Sequence, residues 1–186
     1  MMRWLVLMLL LWTLPAAALE VAGVNVAEKA RVGTNELVLN GAGIRTRLIF
    51  KVYVGALYLP AKETSEAQVF AQSGAKRVSL TLLRDLSAQQ LVEAFEKGIH
   101  ANNSAAEIET LKPRIAELLA LFTGGKEGEV ILIDYLPGAG TVIHVNGKVK
   151  GKPIPGEDFY RALLRIWLGD QPVDEELKKA MLGGTA

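Results

Sequence analysis

The chain has 186 residues, half of them hydrophobic and 22% charged, a balance that fits one folded domain and excludes a disordered chain. Lys and Arg number 21 against 20 Asp and Glu, so the net charge is +1, without the basic excess that marks a nucleic-acid binder. There is no cysteine, which excludes disulfides, cysteine nucleophiles and thiolate-bound metals; two histidines leave little room for a histidine-built metal site, and no cofactor is expected.

Residues 1–18 read MMRWLVLMLLLWTLPAAA. Arg3 is the only charge before Glu20, Leu5 to Leu14 is apolar except for Thr13, and Ala16-Ala17-Ala18 follows Pro15. This reads as a secretory signal peptide cleaved after Ala18. The apolar run is shorter than the roughly 20 residues of a membrane-spanning helix; the alternative is an uncleaved N-terminal anchor. Cleavage would leave one domain, residues 19–186, with 20 cations against 20 anions and no further segment apolar enough to span a bilayer. That domain is long enough to be held by its core alone.

Along the domain, residues 36–40 (ELVLN) read as a short strand and Gly41-Ala42-Gly43 as a turn. Arg45 to Leu59 then reads as one long strand, rich in β-branched and aromatic residues. In it Leu48, Phe50, Val52, Val54 and Ala56 share one parity, and Arg45, Arg47, Lys51 and Tyr53 the other, with Gly55 a candidate bulge. Residues 77–83 alternate as a further strand. Ser87 with Gln90, and Ser104 with Glu107, form two capping boxes. The first opens a helix to about His100 with Leu91, Phe95 and Ile99 on one stripe. The second opens a helix that Pro113 should kink or split and Gly124-Gly125 should stop. Residues 129–136, 141–145 and 148–152 form a three-strand meander with Asn146-Gly147 at the second turn. Helices over about 156–168, capped by Gly169, and 174–182 close the chain. Strands grouped apart from helices predict an α+β fold, an antiparallel sheet covered on one face.

The glycine-rich segments lack the strand–loop–helix context of a phosphate-binding loop, and no serine sits in a nucleophile elbow. His100, near a helix end, and His144, on a strand, pair with no carboxylate in the sequence, and His144 is expected on the solvated side of its hairpin. Asp134 shares parity with Val130, Leu132 and Leu136. On an apolar face it could serve as a base of raised pKa; the simpler reading turns that face to solvent and Ile131, Ile133 and Tyr135 inward. Arg45 shares parity with Tyr53, and Arg47 and Lys51 could lie on the same side. A guanidinium beside a phenol among apolar neighbours could bind a carboxylate or an enolate-like oxygen; the plainer alternative is a solvated strand face.

The segment Leu39–Pro60, LNGAGIRTRLIFKVYVGALYLP, resembles the bacterial, exported branch of the chalcone isomerase-like family. Leu86-Ser87, the hairpin at Asn146 and the ending LLRIWLGDQPVDEELK fit the same pattern, so the resemblance spans about Gly23 to Leu182. It implies an open-faced β-sandwich: a large antiparallel sheet under a layer of helices, with a ligand cleft between them. Plant members close a chalcone to a flavanone, whereas fatty-acid-binding members use the cleft for a carboxylate. The family's catalytic arginine follows Gly-Ala-Gly by one residue, and Arg45 matches it. A threonine in the following strand is best matched by Tyr53. The family's helix tyrosine and asparagine fall at Leu91 and Gly98, and a late threonine near Ile166, so these polar groups are missing. The resemblance therefore implies a periplasmic, exported protein with little of the plant catalytic set.

Three readings follow. The first is a non-catalytic binding protein for a small apolar acid such as a fatty acid, or another hydrophobic ligand, with Arg45 and Tyr53 as ligand-binding residues. The second is an intramolecular lyase (isomerase) of unknown substrate, with Arg45 as electrophile and Tyr53 as proton donor or acceptor. The third is an interaction module with a vestigial cleft and Arg45 paired to an internal carboxylate. The first is preferred.

Overall fold

The computed structural model describes residues 18–184; of the segment read as a signal peptide, 1–18, residues 1–17 lie outside the described residues, and Ala18 begins a strand. The strands are β1 (Ala18–Val21), β2 (Val24–Ala27), β3 (Lys29–Val32), β4 (Asn35–Arg47), β5 (Phe50–Leu59), β6 (Lys76–Leu82), β7 (Val130–Leu136), β8 (Gly140–Val145) and β9 (Lys148–Ile154). The helices are α1 (Glu66–Ala71), α2 (Ala88–Asn102), α3 (Ala105–Leu119), α4 (Glu157–Leu168) and α5 (Glu175–Met181). β3 to β9 form one seven-stranded antiparallel sheet in sequence order, and β1 pairs with β2 in a separate hairpin. The expected α+β architecture, an antiparallel sheet under helices, is what the chain adopts.

Two apolar clusters hold it. On the helix face Leu57, Leu80, Leu82, Ile131 and Ile133 meet Phe95 and Ile99 of α2, Leu118 of α3, Phe159 and Trp167 of α4 and Met181 of α5. Each such side chain contributes about 1.5–3 kcal/mol by leaving water, so the core can stabilise the domain without disulfides. On the opposite face Val54, Ala56 and Tyr58 of β5 pack with Leu37, Leu39 and Val26 in a smaller cluster beneath the β1–β2 hairpin. Both capping boxes form: Ser87 and Ser104 each accept from the backbone of the residue three on, and Gln90 and Glu107 each accept from the cap.

Three expectations are corrected. Gly41-Ala42-Gly43 is not a turn but the middle of β4, which runs unbroken from Asn35 to Arg47. These glycines are required by packing: a Cβ on Gly41 would stand 2.0 Å from the Ala180 carbonyl oxygen, and one on Gly43 2.6 Å from the Ala180 Cβ. Gly43 pairs directly with Gly55, and together they form the flat seat on which α5 lies. Next, the run 45–59 is two strands, turned at Leu48-Ile49. The register shifts at Asn40 and again at Val52, not at Gly55. The second shift lets both Val52 and Tyr53 join the helix-face core. Third, of the two outcomes expected at Pro113 the split does not occur: α3 is continuous over 15 residues. It lies on an exposed stretch, where the carbonyl of Glu109 that it leaves unbonded can be hydrated.

β1, β2, β3 and α1 carry no pattern strong enough to be read from sequence. Asn40, the bulged residue before the glycines, is buried; its amide donates to the carbonyls of Glu63 and Met181 and accepts from the Glu63 N–H. It locks β4 to the α1 loop and to the end of α5. Asp174 caps α5 by accepting from Leu177 N–H at 3.0 Å, and its other oxygen accepts from Thr46 N–H at 2.9 Å. That bond fixes the backbone next to Arg45.

Candidate functional site, a cavity at the end of the sheet

A cavity of about 260 Å³ opens between the end of the sheet and helices α2 and α4. Leu80 and Leu82 of β6, Leu91 and Phe95 of α2, and Ile166 and Trp167 of α4 line its interior. Leu48 and Phe50, both exposed, stand at its mouth. Arg45, Arg47 and Arg84 line it too, and no Asp or Glu does. The result is an apolar chamber with a cationic entrance.

Arg45 and Tyr53 are cross-strand partners at the end of β4 and the start of β5. The Arg45 guanidinium carbon lies 5.5 Å from the centre of the Tyr53 ring. Arg45 forms no ion pair among the described residues, and its buried Nε has no hydrogen-bond partner there. A buried donor left unmatched costs about 1–3 kcal/mol or more when charged, so the arrangement is one that a ligand can relieve. Tyr53 is 5% exposed, and its oxygen accepts from the Trp167 indole N–H at 2.9 Å. Burial raises the phenol above its ordinary value, and the Arg45 charge and Trp167 bond oppose that shift only in part. Tyr53 therefore stays neutral, and it forms part of the cavity lining.

The positions singled out in the sequence separate as follows. Arg45, Tyr53 and Arg47 come together at the cavity; Lys51 is exposed and does not line it. Leu91 and Ile166 line it as apolar residues. Gly98 does not: a Cβ there would stand 2.7 Å from Ile166 Cγ2, so it is a close contact between α2 and α4. Arg84 and Trp167 were missed as site residues. Trp167 is indistinguishable in sequence from the core stripe of α4, and Arg84, just past β6, is brought to the site only by strand topology. His100 lies exposed in the last turn of α2.

Asp134 and His144 correct a further expectation. Ile131, Ile133 and Tyr135 do point into the helix-face core, but Asp134 on the other face is 2% exposed rather than solvated. Its two oxygens accept from Arg77 Nε and Nη2, each at 2.6 Å, and His144 Nε2 lies 3.3 Å from the second. Arg77 and Asp134 are neighbours across β6 and β7, so the bidentate pair spans adjacent strands. This cluster has its own internal partners and lines no part of the cavity.

Comparison with known proteins agrees with this architecture. A sequence model described as chalcone isomerase-like matches residues 18–183. No curated protein matches the chain. Among solved structures, the fold is similar to that of a fatty-acid binding protein from Arabidopsis thaliana, with a TM-score of 0.66 and 15% identity, over 86% of this chain and 92% of that one. With its seven-stranded antiparallel sheet under helices and its cleft between them, the chain belongs to the chalcone isomerase-like family.

Proposed function

We propose that this protein binds a small amphipathic acid, with the carboxylate on Arg45 and Tyr53 and the hydrocarbon part among Leu80, Leu82, Phe95 and Trp167. The observation that carries the reading is Arg45 itself: a guanidinium whose buried Nε lacks a partner, facing a chamber lined by three arginines and no acid. An anionic head satisfies that charge, and an apolar tail fills the space behind it. The volume, just below the usual range for ligand pockets, favours a compact ligand such as a short- or medium-chain fatty acid. That a fatty-acid binding protein has a similar fold supports the same class.

The lyase reading asks Tyr53 to exchange its proton near neutral pH, and its burial moves the phenol the wrong way. The interaction-module reading asks for an internal carboxylate on Arg45, and none pairs with it among the described residues. Binding is therefore the reading we adopt. We also propose, from residues 1–18 together with the resemblance to the exported branch of the family, that the protein is exported to the periplasm; N-terminal sequencing of protein from a periplasmic extract is expected to begin at Leu19.

Native mass spectrometry of protein purified gently from its host, beside Arg45→Ala, tests the binding. The expected result is a co-purifying acid of lipid size on the wild type and none on the variant. A wild type that is empty and takes up no added decanoate would overturn the reading.

A further inference from the structure

The turn between β4 and β5 is chemically unusual. Leu48 and Ile49 are 89% and 85% exposed, and Phe50 beside them 53%. Among the described residues two other large apolar side chains are exposed, Leu19 and Val149, each in a different element. Isolated exposed hydrophobics are ordinary, but three in succession at the tip of a hairpin are not. Leu48 also holds a left-handed backbone, φ 56°, where Gly or Asn would sit without strain. The β8–β9 hairpin solves the same problem with Asn146-Gly147, at φ 49° and 74°. The β4–β5 hairpin thus bears both backbone strain and solvent-exposed hydrocarbon. Neither serves its own fold, which motivates a functional reading.

The charges around the tip identify the surface it fits. Arg47 and Lys51 flank it in the chain, and the Arg84 guanidinium carbon lies 5.1 Å from the centre of the Phe50 ring. None of these three forms an ion pair among the described residues. Residues 44–55 contain no acid. The carboxylate bonded to this hairpin, Asp174, is already engaged by the backbone N–H groups of Thr46 and Leu177. An apolar wedge ringed by free cations matches the interface of an anionic bilayer, hydrocarbon beneath negative headgroups. A second copy of the chain fits poorly, because a two-fold contact would set the same cations against one another. No described helix is long and apolar enough to cross a membrane.

We infer that Leu48, Ile49 and Phe50 insert into the surface of an anionic lipid bilayer, with Arg47, Lys51 and Arg84 on the headgroups. Because Leu48 and Phe50 also stand at the cavity mouth, the docked protein would hold that mouth against the lipid. That last consequence rests on the ligand reading above; the docking itself does not.

Flotation with vesicles of phosphatidylcholine containing phosphatidylglycerol, against phosphatidylcholine alone, tests it. The wild type is expected to float with the anionic vesicles, roughly fivefold less for each of Arg47, Lys51 and Arg84 changed to Gln. Ile49→Asp, which lies outside the cavity lining, is expected to reduce flotation about tenfold or more while vesicle-free decanoate binding is retained. Leu48→Gly relieves the strained turn, so loss of flotation there comes with an unchanged or raised melting temperature. Equal flotation with neutral vesicles, undiminished flotation of Ile49→Asp, or a concentration-dependent dimer that Ile49→Asp dissolves would overturn the proposal. Loss of decanoate binding by the wild type, with flotation intact, would instead count against the ligand reading alone.

Discussion

Two arginines on opposite faces of one sheet have opposite surroundings. Arg77 is bidentate to Asp134, and His144 completes that cluster under the smaller core. Arg45 stands over a tyrosine ring with a buried Nε that nothing in the described chain accepts from. The first charge is satisfied by the fold and should matter to stability. The second has no such partner among the described residues and, under the proposed function, should matter to binding. Removing one member of a buried ion pair strands the other charge, whereas removing a charge that has no ion-pair partner strands no opposite charge.

The comparison can be broken or sharpened by substitution. The largest expected effect is that of Arg77→Met, which isolates the Asp134 carboxylate and should destabilise by about 3–5 kcal/mol, lowering the melting temperature by about 10 °C or more. Arg77→Met with Asp134→Leu should recover most of that loss; a double variant as unstable as the single would show that the pair is not the cause. Next is Gly41→Ala, whose Cβ meets the Ala180 carbonyl: about 1–3 kcal/mol by denaturant unfolding, with α5 displaced from β4. Tyr53→Phe leaves the Trp167 indole N–H unpaired and should cost about 1–2 kcal/mol in stability, and severalfold in decanoate affinity. The smallest effect concerns a half-exposed pair. The Arg165 guanidinium and the Ser104 backbone N–H hold the Glu107 carboxyl down at about 2. Because the folded value is depressed, this contribution is complete above the ordinary carboxylate range and is lost as the pH falls toward 2. Glu107→Gln should flatten that part of the pH–stability curve by about 1 kcal/mol or less.

What could be read from sequence follows from which signals are local. Capping boxes, the Asn146-Gly147 turn and the stripes of α2 and α4 depend on residues a few positions apart, and each element formed where its signal lay. The glycines at 41 and 43 misled because their cause is a helix more than 130 residues away, and a packing glycine reads like a turn glycine. The Leu48-Ile49 turn was invisible because its residues are not turn formers. Asp134 looked exposed because the partner that lets a carboxylate be buried, Arg77, lies on another strand. Of the cavity lining, Arg45 and Tyr53 were legible through motif and parity, whereas Arg84 and Trp167 depended on how the strands and α4 converge.

Arg45→Met is the most direct test, because it keeps length and apolar volume and deletes only the charge. Thermal unfolding and titration with decanoate and with decanol would be measured on wild type and variant together. The account predicts stability unchanged to within about 1 kcal/mol, or slightly raised, and decanoate affinity lower by roughly 10- to 150-fold with decanol little affected. A variant that unfolds as readily as Arg77→Met, or that binds decanoate as the wild type does, would contradict it.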